Sequence, residues 1–122
     1  MKVKHIWKNL VLVRNTSTQR DIPLDKEDIK VVWDETGQAI KVPVCFQFNH
    51  TGGTISVDLY WSIDGVTFTQ HAEDVGDVSG IVAGTGTGYG VFYLTVIPSV
   101  IRIKVTEDDA AACTQLDGTL VL

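Results

Sequence analysis

The alternation of apolar and polar residues is clearest between residues 54 and 70. In the first half of this stretch the apolar residues stand at every second position: Ile55, Val57, Leu59 and Trp61. This period of two is typical of a β-strand with one buried face and one face in water. Asp64-Gly65 follows and predicts a tight turn, because glycine tolerates the positive φ that hairpin turns require. We expect Val66 and Phe68 to continue the buried face after the turn.

Further short runs with the pattern of strands occur along the chain. They cover residues 6–14, 29–33, 39–42, 44–48, 91–97, 101–105 and 116–122. The β-branched run Leu10–Val13 predicts a strand that is buried on both faces or covered by a neighbouring subunit. Pro43 favours a sheet edge or a bend. Residues 25–28 predict a single helical turn, and residues 49–53 a loop.

The composition changes between residues 71 and 90, where six glycines occur among small polar residues. This segment predicts a long loop. Its last part, Gly84–Gly90, is not a dinucleotide-binding fingerprint, since Tyr89 occupies the place of the third glycine and no helix pattern follows. We interpret it as a flexible connection with Tyr89 at its tip.

About eight short strands, few helix signals and no alternation of strand and helix predict an all-β protein. We expect residues 1–122 to form one antiparallel β-sandwich domain of the jelly-roll type, with an immunoglobulin-like sandwich as the alternative. A chain of 122 residues is long enough for one hydrophobic core. Residues 1–14 form either an arm or an edge strand.

The charge is unevenly distributed along the chain. Five basic residues precede the first acidic residue, Asp21, and the remainder carries five basic and fifteen acidic residues. An acidic body argues against nucleic acid as a partner, while the basic segment could meet an acidic neighbour such as another copy of the chain. The simpler interpretation is a solvated edge strand. No apolar run is long enough to span a membrane, and the N-terminus lacks a signal-peptide pattern.

No group of residues has the spacing of a catalytic, cofactor or metal site, so we expect no enzyme activity, no cofactor and no metal. The three histidines are far apart, and the acidic run Glu107–Asp109 predicts a solvated turn. Cys45 lies in a strand-like run and is most simply a small buried thiol. A disulfide between Cys45 and Cys113 stays open for an oxidising compartment.

Two local patterns resemble known families. Tyr60–Phe68 followed by Ile101–Val105 is similar to discoidin-like jelly rolls, which implies carbohydrate or lipid binding. The chain as a whole resembles the small β-sandwich accessory proteins of tailed-phage virions, of the capsid decoration type. That resemblance rests on alternating strands throughout, the glycine- and threonine-rich segment, and the alanine-rich turn into the final strand, residues 110–122.

The second resemblance implies a non-enzymatic virion structural protein, made in the host cytoplasm, that forms a homo-oligomer, preferably a trimer. It would attach to a major capsid or tail protein without contacting nucleic acid or membrane. The residues expected to make these interactions are Lys2, Lys4, Trp7, Lys8, Arg14, Tyr60 and Tyr89. The alternative is a carbohydrate-binding module in which Trp61, Tyr60 or Tyr89 stacks on a sugar.

Overall fold

The computed structural model describes residues 2–13, 16–33, 35–37, 40–51, 55–71, 78–79, 86–107 and 113–122. These residues form ten β-strands and one 3-10 turn, Lys26–Asp28. The strands are β1 (Val3–Leu12), β2 (Ser17–Pro23), β3 (Val32–Trp33), β4 (Ile40–Thr51), β5 (Ile55–Ser62), β6 (Thr69–Gln70), β7 (Val78–Ser79), β8 (Gly86–Leu94), β9 (Val100–Glu107) and β10 (Cys113–Val121).

The strands form two antiparallel sheets that pack face to face. The larger sheet has the order β1-β10-β4-β8-β7, with β3 paired to β4, and the smaller sheet has the order β2-β9-β5-β6. The first and last strands are therefore neighbours in one sheet, whereas an immunoglobulin-like sandwich places them in different sheets. The order is that of a jelly roll, which confirms the predicted fold class.

The core lies between the two sheets and follows the predicted alternation. Along β9, Ile101, Ile103 and Val105 are buried, while Arg102 and Lys104 lie on the outer face. β5 contributes a matching buried row, and Trp61 packs against it from the end of the strand. The largest fully buried apolar side chains are Phe46, Phe48, Phe92, Leu12, Ile55, Leu59, Leu94, Ile101, Ile103, Leu116 and Leu120.

The glycine-rich segment is in part strand, which corrects the loop prediction for residues 78–79 and 86–90. Gly86, Gly88 and Gly90 of β8 stand opposite His50, Phe48 and Phe46 of β4. Directly opposed residues share a face of the sheet. The small residues of β8 thus alternate in register with the bulky rings of β4, and this pairing supports an extended strand that its composition does not predict. The predicted extended piece at residues 81–83 lies outside the described residues.

β1 is an edge strand, and the expectation that its apolar run is buried on both faces is wrong. Ile6 and Leu12 are buried, but Val11 and Val13 expose 65% and 57% of their surface. Each sheet of a two-layer sandwich has only one face against the core, so the outward valines meet solvent. The Arg20 guanidinium donates a hydrogen bond to the carbonyl oxygen of Ile6 and ties β2 to this strand.

The predicted hairpin forms between β5 and β6, with Tyr60 and Trp61 opposite Gln70 and Thr69. Gly65 has a φ of +80°, as the turn prediction requires. The expectation for the residues after the turn is wrong, since Val66 is 82% exposed and Phe68 lies against Arg102 on the outer face. The turn occupies residues 63–67, which is long enough to break the alternation.

β4 is one continuous strand where the sequence predicts two strands and a loop. It pairs with β3 at residues 40–41 and with β10 at residues 45–51. Pro43 lies between these two partners, at a point where β4 is locally an edge, as proline requires. Pro43 stands opposite Tyr93 of β8. His50 belongs to the strand and is buried, and Glu107, predicted in a solvated turn, is a fully buried end residue of β9.

The two cysteines lie far apart. Cys45 stands opposite Val121, eight residues along β10 from Cys113. At about 3.4 Å per residue the two positions are about 27 Å apart, well beyond the reach of a disulfide. Cys45 is a free, half-buried thiol whose pKa is raised by burial. The open alternative of an intramolecular bridge is therefore excluded.

Candidate functional site

The N-terminal edge of the larger sheet carries four of the predicted interaction residues. Lys2 precedes β1 and is anchored to the C-terminus, with its N–H 3.1 Å from the carbonyl oxygen of Leu122. Lys4, Trp7 and Lys8 follow within the strand. Arg14 lies outside the described residues. The structure thus gathers the basic segment along one edge of the sandwich.

Two of these basic groups already have a partner inside the chain. The ammonium nitrogens of Lys4 and Lys2 lie 3.1 Å and 3.7 Å from the buried carboxylate of Asp28. The pKa of Asp28 is lowered, first by the hydrogen bond from the backbone N–H of Asp25 and then by Lys4. These contacts fasten the 3-10 turn to the edge strand. Lys8 is exposed and has no ion pair to another described residue.

A groove of about 370 Å³ opens between β1 and β10. Its lining residues are His5, Trp7, Lys8, Asp117 and Thr119. His5 stands directly opposite Thr119, but the register shifts on both sides of Trp7. Such bulges re-aim side chains and bend the strand. The groove therefore lies where β1 departs from regular pairing.

Asn9 completes the irregular stretch of β1. Its φ is +55°, a left-handed conformation that asparagine tolerates better than most residues. In this conformation its backbone N–H donates a hydrogen bond of 2.7 Å to Oδ1 of Asp117. The carboxylate is held in place beside the groove, and no described residue is bonded to its second oxygen, Oδ2.

The side chain of Trp7 packs toward the core. The Trp7 indole meets the buried ring of Phe46 edge to face, with 6.0 Å between centroids and an interplanar angle of 89°. Phe46 in turn stacks on Phe48 at 5.9 Å. Gly118, opposite Trp7 in β10, leaves space for both rings. Trp7 is thus partly buried on the core side of the sheet, whereas Asp117 and Thr119, on either side of Gly118 in β10, lie on the outer face.

A second surface, which we call the β3 patch, consists of Val32, Trp33, Lys41 and Tyr93. Their apolar members are well exposed, at 42% for Val32, 61% for Trp33 and 53% for Tyr93. The Lys41 ammonium lies 5.8 Å from the centroid of the Tyr93 ring. The patch borders a depression of about 440 Å³ that Glu35 and Thr36 also line. The sequence offers no signal for this surface beyond the aromatic residues themselves.

An apolar row continues from the β3 patch across the outer face of the larger sheet. Val3 stands opposite Val121, and Val121 stands opposite Cys45. Opposed residues share a face, and so do Cys45 and Pro43, two positions apart on one strand. Val3 is 44% exposed. The outer face of this sheet is therefore unusually apolar at one end.

The predicted aromatic residues are not brought together. Tyr60 lies on the outer face of the smaller sheet, opposite Arg102 and Gln70. Trp61 is partly buried and packs against the core. The backbone of Tyr89 pairs with Gln47 in β4 and Ser79 in β7, and its side chain lies outside the described part of the chain.

Arg102 organises the outer face of the smaller sheet. Its guanidinium holds the Asp21 carboxylate with two bonds of 2.6 Å and 3.0 Å, which lowers the pKa of that carboxyl. The same guanidinium lies 3.8 Å from the centroid of the Phe68 ring. This cluster is satisfied within the chain, so we assign it a structural role.

The sequence did not identify His5, Asp117 and Thr119 as partners of Trp7 and Lys8. The one available signal in the sequence is that Asp117 and Thr119 are polar residues in an otherwise apolar final strand. This signal does not identify the residues that lie opposite them. Among the described residues, no three His, Cys, Asp or Glu side chains are grouped so as to hold a metal ion. The described residues also contain no helix of the length and apolarity needed to cross a membrane.

Comparison with known proteins gives weak similarities of fold. Neither a scan against protein-family models nor a search of curated proteins finds a match. Among solved structures the chain is similar to murine APRIL, with 14% identity and a TM-score of 0.40, over 98% of this chain and 100% of that one. It is also similar to a chain of infectious bursal disease virus, Gx strain, with 13% identity and a TM-score of 0.38, over 98% of this chain and 30% of the viral chain.

Proposed function

We propose that this protein is a non-enzymatic structural protein of a phage virion, which self-associates and attaches to a capsid or tail surface. The observation that carries the proposal is a pair of separate exposed apolar surfaces on one jelly roll. One is the β3 patch, and the other is the end of β1 with Val11 and Val13. Contiguous exposed apolar surface in a folded domain marks interaction sites.

The composition of the β3 patch supports protein–protein contact. Tryptophan and tyrosine are enriched at the centres of interfaces, where they bury much area at little entropic cost. β3 pairs with β4 and with no other described strand, so its second edge presents backbone groups that a partner could use. Lys41 and Glu35 stand at the borders and can set the orientation of a partner.

Two different surfaces on one copy favour a ring. When patch and partner surface differ, contacts are heterologous, and they close into a ring if the rotation allows it. The β3 patch of one copy would cover Val11 and Val13 of the next. A trimer is the smallest ring of this kind. In such a ring a neighbouring subunit would cover Val11 and Val13. Cover by a neighbouring subunit is the alternative to burial on both faces that the β-branched run Leu10–Val13 predicts.

Attachment to the particle is assigned to the basic edge, with Lys8 and Trp7 as its exposed and half-exposed members. The acidic body disfavours nucleic acid and leaves this edge as the place where an acidic capsid or tail protein would dock. Lys2, Lys4 and Arg14 would add to the positive charge of the same edge. Tyr60 and Tyr89 remain candidates for a second contact.

Self-association is tested by size-exclusion chromatography with light scattering, at low and high salt. We expect the native protein to have the mass of a trimer. The pair Val32→Ser with Trp33→Ser, and separately Val11→Ser with Val13→Ser, should give monomers. Val66→Ser is the matched control, because Val66 is the most exposed of these residues and lies on a turn outside both surfaces. A native protein that is monomeric at all concentrations would refute self-association.

Attachment is tested by cosedimentation with particles of the encoding phage that lack the protein. Deletion of residues 1–14 is unsuitable, because β1 contributes Ile6 and Leu12 to the core. Lys8→Glu reverses the charge at an exposed position and should weaken binding strongly at low salt. Lys104→Glu, on the outer face of the smaller sheet, is the control. Absence of the native protein from the pelleted particles contradicts attachment even if the trimer forms.

A further inference from the structure

We propose that the free edge of β2 pairs with the same edge of a second copy, antiparallel and centred on Gln19, so that their smaller sheets join. This contact goes beyond the proposed ring, because neither the β3 patch nor the valines of β1 take part in it. β2 pairs with β9 along its whole length without a register shift, and with no other described strand. An exposed edge of this kind is a template for pairing with another chain.

Hydrogen bonds at both ends of β2 show which of its backbone groups face the free edge. The N–H of Glu107 donates to the carbonyl oxygen of Thr16, and the N–H of Leu24 donates to that of Ser99. In an antiparallel pair, every second residue exchanges hydrogen bonds with the partner strand. The even-numbered residues of β2 therefore bond to β9. The residues that direct both N–H and C=O toward the free edge are Ser17, Gln19 and Asp21.

The position of Pro23 fits this alternation. Pro23 is an odd-numbered residue of β2 and stands opposite Val100. Proline is tolerated on an edge strand where its nitrogen, which carries no hydrogen, faces away from the ladder. All four odd-numbered residues of the strand are exposed. The edge is therefore accessible along the whole strand.

The two charged side chains of β2 are held by contacts within the chain. The Arg20 guanidinium donates to the carbonyl oxygen of Ile6, and the Asp21 carboxylate is bonded to Arg102. Edge strands are commonly protected by lysines, by bulges or by being short. β1 has lysines and register shifts, and the described strands β3, β6 and β7 have two residues each. β2 has neither a lysine nor a bulge, so its edge is the one suited to pairing.

The register follows from the same alternation. An odd-numbered residue must lie at the two-fold axis, because the even-numbered residues already bond to β9. With Gln19 at the axis, Ser17 of each copy stands opposite Asp21 of the other. Each of these opposed pairs exchanges two backbone hydrogen bonds, as does Gln19 with its counterpart. Such an isologous contact closes at two copies.

The side chains favour this register over the other two. A Ser17 hydroxyl meets an Asp21 carboxylate, the two Gln19 amides meet each other, and no like charges are opposed. With Asp21 at the axis, two carboxylates would be opposed, and Gln19 would stand opposite Pro23, which has no N–H. With Ser17 at the axis, no other residue of β2 would have a partner within the second β2. Pairing centred on Gln19 is therefore the complementary one.

The test is a dilution series of the 15N-labelled chain carrying Val32→Ser and Trp33→Ser, which removes the ring contact. The interface is smaller than the about 1,200 Å² of stable complexes, so we expect a Kd of about 1 mM, far above the concentrations of size-exclusion chromatography. Between about 0.02 mM and 2 mM, the amides of Ser17, Gln19 and Asp21 should shift along one binding curve, and sedimentation equilibrium should approach the mass of a dimer. A monomer mass throughout, or shifts confined to residues outside β2, overturns the proposal.

Substitutions at Gln19 test the edge directly. Gln19→Pro removes an N–H that faces the free edge and costs β9 no hydrogen bond, so it should raise the Kd at least tenfold. Gln19→Thr keeps the N–H and is the matched control, with a smaller effect. Amide shifts outside β2 report whether the fold is retained. A Gln19→Pro protein that pairs as well as the parent contradicts the edge contact.

A disulfide experiment tests the register in a Cys45→Ser, Cys113→Ser background. Gln19→Cys places two thiols at directly opposed positions, with Cα atoms about 5.5 Å apart and within reach of a disulfide. Ser17→Cys lies on the same face of the same strand, but its counterpart would be about 14 Å away along the strand. Gln19→Cys should give far more linked dimer in glutathione buffer. Equal yields of linked dimer refute the register.

The β2 contact and the ring fail separately. Pairing of the variant without the β3 patch supports the β2 contact even if the native protein never reaches the mass of a trimer. A trimeric native protein, combined with a variant that stays monomeric at about 2 mM, leaves the ring in place and refutes the β2 contact.

Discussion

Gly118 leaves the space that the ring of Phe46 occupies: a Cβ atom at position 118 would lie 2.7 Å from Cζ and 2.9 Å from Cε1 of that ring. Phe46 is fully buried and has Trp7 and Phe48 as further neighbours, so it has little room to move. We predict that Gly118→Ala lowers the free energy of unfolding by about 1–3 kcal/mol through overpacking. Urea denaturation followed by fluorescence measures the change.

The matched experiment is a double-mutant cycle with Phe46→Leu, which shortens the ring that the new methyl group meets. The double variant should be more stable than the sum of the two single losses predicts, because the two positions share one space. Strict additivity, or a Gly118→Ala protein as stable as the native one, would show that β10 can shift without cost.

The hydrogen bonds to the Asp64 carboxylate lead us to predict that the protein loses stability in acid. Its carboxylate accepts hydrogen bonds from the N–H of Thr67, the N–H of Val66 and the hydroxyl of Ser62, which lower its pKa from 3.8 to about 2. Because the folded-state pKa is depressed, the contribution to stability is complete above about pH 4 and disappears as pH falls toward 2. Asp64→Asn should therefore flatten the stability profile between these values, as measured by urea midpoints at each pH.

Glu35→Gln is the control for loss of one negative charge at another surface turn. If Asp64→Asn and Glu35→Gln change the acid profile equally, the turn hydrogen bonds do not carry the effect.

The ion pair between Lys4 and Asp28 leads us to predict a second pH dependence of stability, at the N-terminal edge. Lys4→Met removes the ammonium group 3.1 Å from the carboxylate and should raise the pKa of Asp28. The stability linked to this depressed pKa is lost as pH falls through it, so the variant should begin to lose that stability at higher pH than the native protein. Carboxyl 13C chemical shifts of Asp28 give the titration directly.

Lys2→Met serves as the comparison, since its ammonium lies farther away, at 3.7 Å, and is more exposed. It should raise the pKa of Asp28 less than Lys4→Met does. The reverse order would mean that the edge strand does not hold Lys4 against the 3-10 turn.

We predict that Arg102 contributes modestly to stability through its contacts with Asp21 and Phe68 on the outer face of the smaller sheet. Arg102→Lys keeps the charge but loses the two-bond contact to Asp21 and the stacking on Phe68, and should cost about 0.5–1 kcal/mol, because the pair is partly in solvent. A cycle with Asp21→Asn isolates the ion pair in urea denaturation. A coupling energy of zero would assign the whole loss to Phe68.

The local pattern of the sequence was sufficient to predict those parts of the fold that depend on residues close together in the chain. The alternation in β5 and β9 identifies their buried faces, because a strand places every second side chain on one side. Asp64-Gly65 identifies the turn, since glycine is needed where φ is positive. The count and spacing of strands lead to a jelly-roll sandwich. Trp7 and Lys8 were predicted as interaction residues from their place in the basic N-terminal segment.

Tertiary structure alone decided what those residues face. Trp7 and Lys8 line one groove with Asp117 and Thr119 only because the first and last strands pair, more than 100 residues apart in the chain. Glycines 86, 88 and 90 form a strand because the bulky rings of β4 stand opposite them. Val11 and Val13 are exposed because each sheet of the sandwich has only one face against the core. Pairing and register between distant strands follow from the sum of many contacts across the sheet, and no local pattern encodes them.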